Sequence, residues 1–143
     1  SKVTINGYDP EGFVVGAVRP RGSILAFPRG YVLWRPTRVE DITVESLKIV
    51  GLLKPKVGAF HRSAVKKNSR VAVSVLTFIC KPQLLLIGVG ERNARRLPPD
   101  VMAHFKRLGI PVEQMDTVNA CSTFNVLNTE DRVVCAAVLS QRP

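Results

Sequence analysis

The sequence predicts an α/β domain that opens with an antiparallel β-hairpin region. Three observations carry this. Short apolar runs separated by Gly and Pro fill the first 36 residues, as hairpin-connected strands do. From Leu84 onward, apolar runs alternate with helically spaced segments in the order β-α-β-α-β, the pattern of a mainly parallel sheet with helices packed on it. The chain has 143 residues, 45% of them hydrophobic, which suits one domain with one core over residues 1–143.

Each element has its own signal. Val3 and Ile5 alternate with polar neighbours until Gly7. Gly12 to Val15, Ser23 to Phe27 and Tyr31 to Trp34 follow, separated by Asp9-Pro10, Arg19-Pro20-Arg21-Gly22 and Pro28-Arg29-Gly30. Asp41 offers a capping side chain to a short helix that closes at Gly51. The basic stretch Lys54 to Arg70 reads as an excursion outside the core. Val71, Val73 and Val75 alternate with other residues, and Leu84 to Gly90 is an apolar run ended by glycine, as in a strand covered on both faces. Pro98-Pro99-Asp100 opens a helix in which Val101, Met102, Phe105 and Leu108 share the inner side, stopped by Gly109 and Pro111. Ile110 to Met115 is a strand, and Asn119 to Leu127 a helix with Ala120, Phe124 and Leu127 buried. Asp131 turns the chain into a last strand, Arg132 to Leu139.

Charge is the unusual part of the composition. Lys and Arg number 21 against 11 Asp and Glu, a net +10 that calls for an anionic partner. No Asp or Glu occurs from Ser46 through Gly90, where Lys48, Lys54, Lys56, Arg62, Lys66, Lys67, Arg70 and Lys81 supply eight of the positive charges. The remainder holds 13 basic and 11 acidic residues and is close to neutral. Cys80, Cys121 and Cys135 form no CxxC pair and are odd in number, which favours a reducing compartment over a disulfide framework. His61 and His104 stand at no ligand spacing from them, so no metal is expected. No apolar run reaches the roughly 20 residues that span a bilayer, so no transmembrane segment is expected. No targeting peptide is visible at the start, and one removed earlier is compatible with a sequence beginning at Ser1.

Two regions could carry function. Gly88-Val89-Gly90 leaves a strand ahead of a helix, but the third glycine of a dinucleotide fingerprint is replaced by Asn93, and no cofactor is expected. It reads as a tight strand exit or as a shallow nest of amides. Asp116, Thr117, Asn119, Cys121, Thr123 and Asn125 cluster at a strand-to-helix junction. They read either as a helix cap or, with Gly88 and Gly90, as a pocket over the strand ends, where α/β sheets usually bind ligands. Cys121 is either a thiol with a depressed pKa near a helix start or a small buried one. No nucleophile motif, histidine pair or carboxylate pair is present, so no catalytic residues are assigned and no enzyme is expected. Candidate partner contacts are Trp34 and Arg35 with the basic residues Lys54, Lys56, Arg62, Lys66, Lys67 and Arg70.

The residues of the junction also carry a resemblance. Asp116-Thr117 followed by Asn119 to Leu127 resembles the most distinctive motif of a family of small α/β proteins. That family includes the mitochondrial NADH:ubiquinone oxidoreductase (complex I) assembly factor 3. Leu84 to Arg92, Leu108 to Glu113, Arg132 to Val134 and Ala136-Ala137 agree as well, and Gly12-Phe13, Val32 to Trp34 and Asp41 to Ser46 match in order. The resemblance implies a single three-layer domain with a central mixed β-sheet. It implies a non-enzymatic protein–protein interaction module, an assembly factor or retained accessory subunit of respiratory complex I. The implied partners are matrix-arm subunits near the quinone site and a companion assembly factor, and the implied location is the mitochondrial matrix, peripheral to the inner membrane. Against this family, about 27 residues, roughly 49–75, stand as a basic insertion that meets an acidic protein surface or RNA. An alternative follows from it: a component of a ribonucleoprotein such as the mitochondrial ribosome.

Overall fold

Two antiparallel hairpins open the chain, as the Gly and Pro punctuation requires. In a computed structural model, which describes residues 2–52, 81–92 and 95–140, β1 (Ile5–Asp9) pairs with β2 (Gly12–Val15), and β3 (Ser23–Phe27) pairs with β4 (Gly30–Trp34). Gly7 does not end the first strand. The register slips between Ile5 and Gly7, and that irregularity lets the strand run on to Asp9. Asp9 Oδ1 then closes the turn by accepting from the amides of Glu11 at 2.8 Å and Gly12 at 3.0 Å.

The helix expected from Asp41 to Gly51 is instead broken into short pieces. Single 3₁₀ turns occupy Val39–Asp41 and Glu45–Leu47, and one α turn, α1 (Lys48–Gly51), follows. Thr43 and Ser46 explain the break. The Ser46 amide donates to Thr43 Oγ1 at 3.0 Å and the Thr43 amide to Ser46 Oγ at 2.9 Å, giving the backbone local partners other than a helix. Val39, Ile42, Leu47 and Val50 are buried all the same, so the apolar spacing was right and the hydrogen-bond pattern was not.

The second half keeps its expected order: β5 (Leu84–Gly88), α2 (Pro99–Arg107), β6 (Val112–Met115), α3 (Thr117–Thr129) and β7 (Val134–Val138). Pro99 sits in the first turn of α2 and Gly109 leaves it at φ +70. α3 is longer than the Ala120-Phe124-Leu127 spacing shows, because Asp116 caps it three residues before Asn119. Met102 is 41% exposed and does not join Val101 and Phe105 in the core, since consecutive helical residues lie 100° apart.

The five-stranded sheet has the order β4-β3-β7-β5-β6. β5 runs parallel to β6 and β7, whereas β3 is antiparallel to both β4 and β7. The sheet is therefore mixed, as the resemblance implies, and not mainly parallel as the alternation of elements suggests: the second hairpin joins it through β3. Alternate residues divide between its faces. Leu25, Phe27, Leu85, Ile87, Cys135 and Ala137 pack toward α1 and α2 with Leu47, Val50, Val101 and Phe105. Ile24, Ala26, Leu86, Val134, Ala136 and Val138 pack toward α3 and the first hairpin with Phe13, Ala120, Cys121 and Phe124. That makes three layers. Complete burial of a side chain such as Phe105 or Phe124 contributes about 1.5–3 kcal/mol.

No described helix is long and apolar enough to cross a membrane. The Lys54 to Arg70 excursion, the Val71 to Val75 alternation, Cys80 and residues 53–75 of the expected insertion lie outside the described residues.

Candidate functional site

The polar cluster lies at the carboxyl ends of the parallel strands, and a hydrogen-bond network accounts for most of it. Val89 donates to the Met115 carbonyl at 2.9 Å, Leu139 to Gly88 at 2.8 Å and Thr117 to Gly90 at 3.0 Å. The Thr117 hydroxyl accepts from the Gly90 amide at 2.9 Å and donates to the Leu139 carbonyl at 2.9 Å. Thr117 is wholly buried, so one side chain ties the ends of β5 and β7 to the start of α3. Gly90 makes the turn at φ +88, a conformation that favours glycine. The amides of Val89 and Gly90 are thus engaged inside the protein, and Gly88-Val89-Gly90 serves as a strand exit.

Gly88 is a point of closest approach. A Cβ added there would lie 3.0 Å from each of Thr117 Cα, Ala120 Cβ and Val138 Cγ1. Asp116 caps α3: its carboxylate accepts from the Asn119 amide at 3.2 Å and from Asn119 Nδ2 at 2.6 Å. Partial desolvation raises the Asp116 pKa, but the Asn119 bonds and the nearby Arg92 guanidinium outweigh it and hold the carboxyl below its usual range. The helix N-terminus already carries a negative group, which disfavours a second anion there.

The remaining members point to different neighbours. Cys121 is buried, and desolvation pushes its thiol up to about 12, opposite to the depressed value that thiolate chemistry needs. Cys135 is shifted in the same direction by the same cause. At pH 8, iodoacetamide should therefore label Cys121 in the folded protein on the order of 100-fold more slowly than in guanidinium, measured by peptide mass spectrometry. Equal rates would show that the thiol is accessible and ionisable. Thr123 Oγ1 lies 3.7 Å from Met115 Sδ. Asn125 makes a two-point contact with the Ile5 backbone, accepting from its amide at 2.8 Å and donating to its carbonyl at 2.8 Å.

Asn128, overlooked in the sequence, completes that seam. Its Nδ2 donates to the carbonyls of Val3 at 2.9 Å and Pro28 at 3.0 Å. The signal was present: α3 carries no charged residue from Thr117 to Thr129, and Asn125 and Asn128 share one of its sides. Two amides on an uncharged helix suit a backbone neighbour.

Among the candidate partner contacts, Trp34 is 7% exposed and its Nε1 donates to the Ser46 carbonyl at 2.8 Å, which places it in the core. Arg35 beside it is exposed. Lys54, Lys56, Arg62, Lys66, Lys67 and Arg70 lie outside the described residues. Among the described residues no three His, Cys, Asp or Glu side chains come close enough to hold a metal ion.

An open depression lined by described residues lies elsewhere, between α2 and β6. It measures about 470 Å³, with Met102, Ala103 and Lys106 on one side and Gly109 to Val112 on the other.

The family profile described as "Protein of unknown function (DUF498/DUF598)" matches residues 58–139. The chain belongs to this family. A Bos taurus member of the curated proteins, NADH dehydrogenase [ubiquinone] 1 alpha subcomplex assembly factor 3, is 32% identical over 135 residues, which are 94% of this chain and 59% of that protein. The chain spans about 60% of the length of the curated relatives it matches. Among solved structures, a Bordetella parapertussis protein superposes with a TM-score of 0.72 at 27% identity, covering 98% of this chain and 97% of the other. A Bordetella pertussis Mth938-like domain superposes with a TM-score of 0.69 at 27% identity, covering 98% and 87%. The DUF498/DUF598 fold is thus shared with bacterial proteins.

Proposed function

We propose that this member of the DUF498/DUF598 family is a non-enzymatic protein–protein interaction module that assists the assembly of mitochondrial complex I. The observation that supports it most is the similarity to complex I assembly factor 3, which runs over 94% of the chain. The engagement of Thr117, Asp116, Asn119 and Asn125 in internal bonds supports it from the other side, since these polar residues are occupied in holding the fold. In this reading the partners are matrix-arm subunits near the quinone site together with a companion assembly factor. The protein works in the matrix, peripheral to the inner membrane, either transiently or as a retained accessory subunit.

Depletion followed by rescue tests the proposal. Loss of the protein should lower mature complex I several-fold on native gels. The wild-type chain should restore it and recover complex I subunits in native pull-downs. Normal complex I after depletion, with no such subunits recovered, would overturn it.

The acid-free stretch from Ser46 through Gly90 favours a second reading, a ribonucleoprotein component that meets RNA through the basic residues. A nuclease arm in the same pull-down separates the two. Nuclease should leave a complex I partner bound and release a ribonucleoprotein.

A further inference from the structure

The depression between α2 and β6 adjoins the outer edge of the sheet. β6 is the last strand in the order and pairs, among the described strands, only with β5. Pro111 and Met115 turn their carbonyls to β5, accepting from Leu85 at 2.9 Å and from Val89 at 2.9 Å. In a parallel pair alternate residues bond to one neighbour, so the backbone groups of Val112 and Gln114 point to the outer edge. Such an edge is a template for an added strand.

Beside this edge the lining is apolar, with Met102 at 41% exposure opposite Ile110, Pro111 and Val112. Among the described residues its charges are of one sign. Lys106 lines it, and Lys81 Nζ lies 3.2 Å from where a Cβ on Gly109 would sit. Neither lysine pairs with a carboxylate among the described residues. The two nearest acids in sequence are turned away. Glu113 projects from the opposite face of β6 to Val112, and Asp100 lies about 120–160° around α2 from Met102 and Lys106 by the 3.6-residue repeat.

We propose that this face binds a short extended segment of a partner protein, which adds to β6 as a strand. An apolar side chain of that segment enters the depression, and neighbouring carboxylates meet Lys81 and Lys106. Main-chain bonds supply the hold and the apolar, basic depression supplies the selection. The inference rests on the interaction-module reading and names its surface.

The probe is a synthetic decapeptide of alternating Leu and Glu, titrated into the ¹⁵N-labelled full chain. Perturbed amides should cluster at Met102 to Lys106 and Val112 to Met115. Affinity should fall at 0.5 M salt, where charges are strongly screened. A Met102→Glu, Lys106→Glu double variant should bind at least tenfold more weakly with an unchanged melting temperature. Lys106→Glu alone, at an exposed position, serves if the double variant melts early. Equal affinity of the variant, shifts mapping elsewhere, or equal binding of a Leu-Lys decapeptide would each overturn the proposal. So would a doubled molecular mass that the double variant loses, because the occupant would then be a second copy. In the rescue assay, failure of the wild-type chain counts against the assembly reading. Full rescue by the variant counts against the groove alone.

Discussion

Thr117→Val should destabilise the protein by about 3 kcal/mol, lowering its melting temperature by roughly 9 °C for a domain of this size. The substitution nearly preserves shape and removes only the hydroxyl. That hydroxyl accepts from the Gly90 amide and donates to the Leu139 carbonyl inside a fully buried site. Each group left without a partner costs about 1–3 kcal/mol. Thr117→Ser keeps both bonds and should lose only about 1 kcal/mol for the deleted methyl. Thermal melts of the two variants check this. A Val variant as stable as the Ser variant would mean that the network contributes nothing.

Gly88→Ala should cost about 2 kcal/mol through overpacking. Its new methyl would meet Thr117 Cα, Ala120 Cβ and Val138 Cγ1, all at 3.0 Å. None of the three lies at the end of a flexible side chain, so α3 must lift off the sheet. Lifting α3 stretches the Thr117 bonds, and the two sites are therefore coupled. The Gly88→Ala, Thr117→Val double variant should lose about 1 kcal/mol less than the sum of the single losses. Strict additivity in a double-mutant cycle would show that α3 does not move. A loss confined to ligand binding, with stability intact, would restore Gly88 to a cradle role.

These two positions show how the sequence was legible and where it stopped. A tight strand exit at Gly88 to Gly90 and a helix cap among Asp116, Thr117 and Asn119 could be read from residue type and order alone, and the structure makes Asp116 the cap. The pocket they suggested could not be judged, because spacing does not say whether an amide already has a partner. Gly90 gives its amide to a threonine 27 positions away. Asn125 and Asn128 face the same limit: their partners at Ile5, Val3 and Pro28 are 100 or more residues distant. Met102 fails for a different reason. Its apolar side chain fits a core stripe in composition, but it lies 100° around α2 from Val101, and the side of α2 that packs on the sheet is the one holding Val101 and Phe105, so Met102 lines the depression beside β6.

The sequence by itself determined the order of strands and helices from Leu84 onward, most of the residues that each of them buries, and the concentration of positive charge between Ser46 and Gly90. These are local properties, written in periodicities of two and 3.6 and in the turn residues between them. Tertiary structure alone decided the strand order, with β7 inserted between β3 and β5. It also decided that the junction of Gly88, Gly90 and Thr117 is a structural clamp, and that an apolar, basic depression opens at the β6 edge. Pairing and hydrogen-bond closure join residues far apart in the chain, and no window of sequence contains both partners.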